Sequence, residues 1–202
     1  RVQGILHDFP LGIDRLSPQA LSDVVRARLL SSHGGIWVDA SVLPTSPLDN
    51  WLPALMTSSG FFAFEKPGPD RPLSTWFLAA TKDNLIMQKW YNSVERYWSV
   101  DRKLYDGIPS NPSVAVDTWP DQFPYFWFHY LFQSLMDCDV KFSEAWAECK
   151  KRSADAPHAL QAALAQNPQL ELAQVVKLAA GAPVHKLNWR NPYPLAALSV
   201  LA

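Results

Sequence analysis

Two adjacent glycines, Gly34 and Gly35, separate a helical pattern from an extended one within residues 22 to 42, SDVVRARLLSSHGGIWVDASV. Upstream, Ser17 offers an N-cap hydroxyl, and Pro18 follows it where a missing N–H costs nothing at the first helical position. Leu21, Val24, Val25 and Leu29 recur at helical spacing. A helix is therefore predicted from about Pro18 to the glycines, which tolerate the positive φ that ends it. Ile36, Trp37 and Val38 read as a short buried strand. Asp39 follows at its C-terminal end, where open α/β sheets place ligand chemistry.

Asp23 and Arg26 lie three apart and share a helix face distinct from that of Leu21, Val25 and Leu29. One reading is a surface ion pair worth less than about 1 kcal/mol. In the other, the glycine turn returns the helix beside the strand, so that Asp23, Arg26 and Asp39 line one cleft. Two carboxylates and a guanidinium there suit a phosphorylated, metal-chelating ligand. The 202 residues, 48% of them hydrophobic, fit one domain with an ample core. A net charge of −1 offers no footprint for nucleic acid, and the basic triplet Lys150-Lys151-Arg152 reads as a solvated helix end. Cys138 and Cys149 lack metal-ligand spacing and read as reduced cytosolic thiols. The most apolar windows, 123 to 132 and 193 to 202, fall short of the roughly 20 residues a transmembrane span needs.

Downstream, residues 51 to 55 predict a short helix, and 61 to 64 and 75 to 80 predict strands, with KPGPDRP (66 to 72) as a loop between them. Ile86, Trp90, Val94, Tyr97 and Trp98 form one core-facing stripe of a helix over 84 to 100. Residues 101 to 120 have no sustained period and read as a long connection, of the kind that serves as a lid or acceptor wall. From 123 to 136 a helix rich in aromatics is either buried or presents a sugar-stacking surface. His129 within it is either a satisfied core histidine or a ligand. The last third is helical, with Pro157 near a helix start. Asp155 and His158 lie at that helix's N-terminal edge, where Asp155 is either an N-cap or a cleft residue.

With these residues in view, the run Ser22-Asp23, Arg26, Leu29-Leu30, Gly34-Gly35-Ile36-Trp37, Asp39 resembles the signature of the DxD glycosyltransferases with a GT-A fold. That group includes the capsular polysaccharide synthesis proteins, the yeast-type initiating mannosyltransferases and the glucosyltransferase domains of clostridial toxins. Later segments resemble the capsular branch. Residues 125 to 129 (YFWFH) are similar to its "DYFWFH" motif, 153 to 158 (SADAPH) to "SADGPH", and 185 to 187 (HKL) to "KLT".

The resemblance implies a donor site of Ser22, Asp23, Arg26, Gly35, Trp37 and Asp39, with Asp23 on the sugar nucleotide, Arg26 facing its phosphates and Trp37 beside it. It implies that Asp39 and Ser41 hold a divalent metal, Mn²⁺ or Mg²⁺. Ser41 departs from the pattern, because a hydroxyl stands where the toxins and yeast enzymes carry a second acid; the capsular branch often has Asp-Ala-Thr or Asp-Ala-Ser there. Asp39, Asp155 and His158 are the implied catalytic residues. Lys186 would neutralise the diphosphate, and Trp189 would stack over the sugar. Tyr125, His129 and Asp121 are acceptor-side candidates; Pro124 stands where the family motif has an acid, and Asp121 lies three residues earlier.

These readings predict a single α/β GT-A-like domain, a Rossmann-like mixed sheet flanked by helices, lacking its N-terminal strands. Residues 1–120 form the donor-binding part, and 121–202 a mainly helical part with a C-terminal donor or acceptor loop. The expected activity is retaining, metal-assisted transfer of a sugar from a nucleotide diphosphate sugar to a carbohydrate acceptor, in the cytoplasm or at the membrane face. The alternatives are a catalytically inactive nucleotide-sugar or glycan binding module, and a membrane-peripheral scaffold that uses the aromatic helix.

Overall fold

The computed structural model describes residues 2–10, 12–57, 59–99, 116–117, 123–188 and 190. Along the chain these form α1 (Val2–Ile5), α2 (Pro18–His33), β1 (Gly35–Val38), β2 (Val42–Pro44), α3 (Leu52–Met56), β3 (Phe61–Gly68), β4 (Arg71–Ala80) and α4 (Leu85–Ser99). There follow β5 (Val116–Asp117), β6 (Phe123–Pro124), α5 (Trp127–Cys138), α6 (Val140–Glu148), α7 (Asp155–Gln166), α8 (Leu172–Ala179) and β7 (Val184–Lys186). The fold is mixed α/β with small antiparallel sheets: β1-β4-β3, β2-β7 and β5-β6. Among the described residues no two named strands pair in parallel; the parallel contact is an isolated bridge from Glu65 to Ser153.

The alternation of β3 and β4 sends side chains to two cores. Phe61, Ala63, Leu78 and Ala80 join Val24, Leu30, Trp90, Phe128 and Trp146 beneath α2, α4, α5 and α6. Phe62, Phe64, Phe77 and Ala79 face the other way, against Leu52 and Leu55 of α3, Ala154 and Val184. A third cluster, Leu160, Leu164, Val175 and Ala179, closes α7 on α8 with Leu43 and Leu187 at its margin. Burying large apolar side chains at about 25 cal/mol per Å² makes these clusters the main driving force for the architecture.

Several elements match the sequence pattern closely. The Ser17 hydroxyl accepts the Ala20 N–H at 3.2 Å, Pro18 opens α2, and the helix stops at the glycines. All five stripe residues of α4 are buried. Other elements differ from the expectation. The strand expected to be buried at residues 36 to 38 is an edge strand, because among the described residues β1 pairs only with β4; Trp37 turns to the main core, while Ile36 and Val38 are 44% and 41% exposed. KPGPDRP is a hairpin with its turn at Pro69 and Asp70, not a seven-residue loop. Pro67 is accommodated on the edge strand β3 beside register shifts, with Lys66 at φ 53°, and Pro72 precedes the stretch of β4 that β1 pairs with.

The aromatic helix begins at Trp127, four residues later than expected, since Pro124 biases Phe123 to extended backbone and the two residues pair with β5. Asp139 caps a helix the sequence reading had not placed, α6, by accepting the Phe142 N–H at 3.0 Å. As expected of a helix end, the basic triplet follows α6, where Lys151 lies over the Trp146 ring. Both cysteines are free thiols, and no described helix is long and apolar enough to cross a membrane. The connection expected over 101 to 120 lies outside the described residues apart from Val116 and Asp117.

The two glycines do different work. Gly34 has φ +68°, and a Cβ there would meet the Lys82 backbone nitrogen at 2.5 Å and the Thr81 carbonyl carbon at 2.7 Å; Gly35 has φ +99° but faces open space. Gly34→Ala is therefore expected to cost about 3 kcal/mol or more, and Gly35→Ala only the roughly 1–2 kcal/mol of a strained φ. Urea unfolding of the two variants checks this ordering.

Candidate active site

Helix α2 places Ser22, Asp23 and Arg26 on adjoining turns, and the third of these is buried. Arg26 is 6% exposed. Its Nη1 donates to the Thr75 carbonyl on β4 at 2.7 Å and pairs with Asp23 at 3.2 Å. Its Nη2 donates to the Ser22 hydroxyl at 3.0 Å and to Asp39 Oδ1 at 3.3 Å. The guanidinium lies 5.1 Å from the Trp37 ring centre. A surface ion pair is thus excluded: helix and strand meet through a desolvated cation whose two terminal nitrogens are engaged within the protein while Nε has no partner.

Asp39 leaves the end of β1, anchored by its own N–H to the Trp76 carbonyl at 2.9 Å. Its Oδ1 also accepts the Trp37 indole N–H at 3.0 Å, and its Oδ2 lies 3.5 Å from Lys186 Nζ. Lys186 arrives through the β2-β7 ribbon, in which Val42 pairs with Lys186 and the Leu187 N–H donates to the Ser41 carbonyl at 2.9 Å. That register fixes the Lys186 ammonium on the Ser41 hydroxyl, to which it donates. Its neighbour His185 points the other way, fully buried, with Nε2 on the Ala179 carbonyl at 2.9 Å.

Two further groups of residues lie around this network, within the electrostatic reach of Arg26 and Lys186. At the β3-β4 turn, Arg71 pairs with Asp70 at 3.1 Å and lies 4.2 Å from the Phe126 ring centre, while the Tyr130 hydroxyl donates to Asp70 at 3.2 Å. In the second group, Glu65 pairs with residues 152 to 154 along the free edge of β3 and so delivers the start of α7. There His158 packs on Trp76 with ring centres 5.7 Å apart. Asp155 is exposed and is the first helical residue; Ala154 holds the cap position, so Asp155 is not the N-cap.

Burial dominates the electrostatics. It raises the Asp23 carboxyl to about 6 despite Arg26, with Asp39 adding to the rise. It lowers His129 to about 3, helped by the positive fields of Arg71 and Arg26. His158 is also lowered, by burial and then by Lys186 and Arg71, against the pull of Asp155. Both imidazoles are therefore neutral at pH 7.

The structure thus brings Ser22, Asp23, Arg26, Trp37, Asp39, Ser41 and Lys186 into one bonded network, with His158 beside it. His129 lies buried under Phe126, in the fields of Arg26 and Arg71, with Nδ1 unpartnered. Tyr125 is exposed next to Phe126. Gly35 sits at the opposite end of β1 from Asp39 and serves the turn. Asp121 and Trp189 lie outside the described residues. Trp127, Phe128 and Phe132 of α5 are fully buried, so they are core and not a sugar-stacking or membrane surface.

Asp39 Oδ2 and the Ser41 hydroxyl, on the two residues to which the resemblance gives a divalent ion, both face the Lys186 ammonium. Among the described residues no three His, Cys, Asp or Glu side chains gather into a metal site. Sequence reasoning missed Asp70, Arg71 and Tyr130. The available signal was Pro-Gly-Pro-Asp between two apolar extended runs, a hairpin pattern that brings the tip residues together.

The profile of a family described as capsular polysaccharide synthesis protein matches residues 10–108 and 116–197 of the chain. No curated protein and no solved structure matches it.

Removing Arg26 as Arg26→Met leaves two carboxylates without their shared cation and is expected to cost about 3–5 kcal/mol in urea unfolding. His129 adds a pH dependence of known sign. Its folded pKa is about 3 against 6.5 ordinarily, so only the unfolded chain takes up the proton as pH falls between these values. Stability contributed by the neutral ring is complete above 6.5 and declines toward pH 3, by at most about 1.4 kcal/mol per unit. Asp23, raised to about 6, acts oppositely between 3.8 and 6. His129→Phe is therefore expected to be less acid-sensitive than the unsubstituted chain, as read by denaturation at pH 7, 5.5 and 4.5, on the order of the unit steps that linkage predicts.

Proposed function

Because the chain belongs to the capsular polysaccharide synthesis protein family, we propose that it is a glycosyltransferase acting on a GT-A-like scaffold. It moves a hexosyl group from a nucleotide diphosphate sugar to a hydroxyl of a carbohydrate acceptor. One observation carries this reading: Asp39 is met by Arg26 and Trp37 from its own neighbourhood and by Lys186 from the far end of the chain. A carboxylate held by one buried and one accessible cation suits a ligand that carries both hydroxyls and phosphates.

In this reading Asp39 accepts a hydroxyl of the donor ribose or sugar. Arg26 is a positioning residue that fixes the carboxylate, and Lys186 faces the diphosphate. In the transfer, the bond between the anomeric carbon and the diphosphate oxygen breaks while the acceptor oxygen bonds to that carbon. The acceptor proton passes to the departing diphosphate, on the retaining course that the family resemblance implies. Negative charge grows on the leaving group, and a fixed ammonium in a partly desolvated cleft stabilises it. His158, neutral beside Lys186, offers a hydrogen-bond acceptor for the incoming hydroxyl, and Asp155 lies on the same helix turn. Tyr125 and the Arg71-Phe126 pair form the acceptor wall.

A thermal-shift and hydrolysis screen with several nucleotide sugars on the unsubstituted chain and Asp39→Ala tests this. One donor is expected to raise the melting temperature by a few degrees and to be slowly hydrolysed, and both effects should vanish in the variant. Equal stabilisation of the two proteins would sink the proposed site. Stabilisation without hydrolysis, even with added acceptor, would favour the inactive binding module.

A further inference from the structure

The position expected for a divalent ion, between Asp39 and Ser41, is filled by a side chain of the protein. Lys186 Nζ donates to Ser41 Oγ and stands 3.5 Å from Asp39 Oδ2. The backbone dictates this placement. Val42 and Lys186 are cross-strand partners, Leu187 N–H binds the Ser41 carbonyl, and the Thr45 hydroxyl donates to the Ala182 carbonyl at 2.6 Å, so the ribbon is pinned at both ends.

The donor set agrees. Ser41 supplies a neutral hydroxyl, a weak ligand for Mg²⁺ or Mn²⁺ but a good acceptor for an ammonium. Asp39 already shares Oδ1 with Arg26 and Trp37, which leaves Oδ2 for one more cation. With Asp23 paired to Arg26, one free carboxylate oxygen and a hydroxyl beside two fixed cations are a poor host for a doubly charged ion, which would meet the repulsion of both cations. An ammonium at that point, its side chain 21% exposed, keeps the carboxylate neutralised and has a third donor for a ligand.

We propose that Lys186 takes the place of the divalent metal, so that this cleft binds a diphosphate through the Lys186 ammonium without a metal ion. The inference rests on the donor-site reading above but adds to it the identity of the charge that meets the leaving group. Lys186 and Ser41 form an internal cation site, and Ser41 replaces the second acid because an ammonium, unlike a metal, needs no second negative ligand.

Calorimetric titration of the full chain with inorganic pyrophosphate, in excess EDTA and in Mn²⁺, is the test, with Mn²⁺ alone as a third arm. The unsubstituted chain is expected to bind pyrophosphate equally in both media and to take up no Mn²⁺ at this site. Lys186→Ala should lose about tenfold or more in pyrophosphate affinity in EDTA, the size of a lost charge-assisted contact. That variant should also gain Mn²⁺ binding through the freed oxygens, and Asp39→Ala in addition should remove the gain. Lys186→Arg, which keeps the charge, should stay metal-independent and shows that the ribbon tolerates substitution. Pyrophosphate binding by the unsubstituted chain that requires Mn²⁺, or no pyrophosphate binding in either medium, would overturn the inference. Metal-independent pyrophosphate binding in a chain that answers to no nucleotide sugar would instead leave it standing and remove the transferase reading.

Discussion

One buried guanidinium holds the architecture and the cleft together. Arg26 reaches from α2 to the Thr75 carbonyl on β4, to Ser22 and Asp23 on its own helix, and to Asp39 beyond β1. Each contact offsets part of the cost of taking a charge out of water, and none does so alone. A well-packed apolar cluster in place of Arg26 together with Asp23 and Asp39 would hold helix to sheet at least as firmly. What it would not do is present an oriented Asp39 carboxylate, and with it the spot where Lys186 arrives.

The helix-to-strand passage was legible because local chemistry decides it. Ser17, Pro18 and the glycines set both ends of α2 through their own backbone preferences, and the apolar stripe of α4 states its burial by spacing alone. Arg26 was harder to place. Its spacing to Asp23 is that of countless exposed pairs, and only the passage of β4 alongside makes it a buried cation. The edge status of β1 was hidden for a related reason, since Ile36-Trp37-Val38 reads the same whether one neighbour strand is present or two. The hairpin at Asp70 and Arg71 was masked by prolines, which local rules assign to loops and an irregular edge strand absorbs. The resemblance, by contrast, named Asp39 and Lys186 as partners of one ligand although no local rule links residues so far apart in sequence.

The aromatic segment shows how one motif divides between two duties. Phe128 stacks on Trp90 at 3.9 Å and Trp127 on Tyr97 at 5.3 Å, so the body of α5 belongs to the core. Its lead-in, Tyr125 and Phe126, stays at the cleft, where Phe126 carries Arg71 on its face and covers His129. The stacked pairs fasten the helix to the core and so fix where its lead-in residues lie. A neutral histidine in such a place is a shaped polar surface with no charge to repel nearby cations.

The β2-β7 ribbon ties residues 42 to 44 to residues 184 to 186, so the Lys186 cation is contributed 147 residues after the Asp39 carboxylate it meets. Closing so large a loop is entropically slow even though its cost grows only with the logarithm of length. The sheet and the Arg26 junction draw on residues 18 to 80, all of which are synthesised well before Lys186. During that interval the nascent chain presents Asp39 without its second cation. The contact between Asp39 and Lys186 thereby waits on closure of that long loop, an order of assembly written into strand pairing and not into any regulatory element.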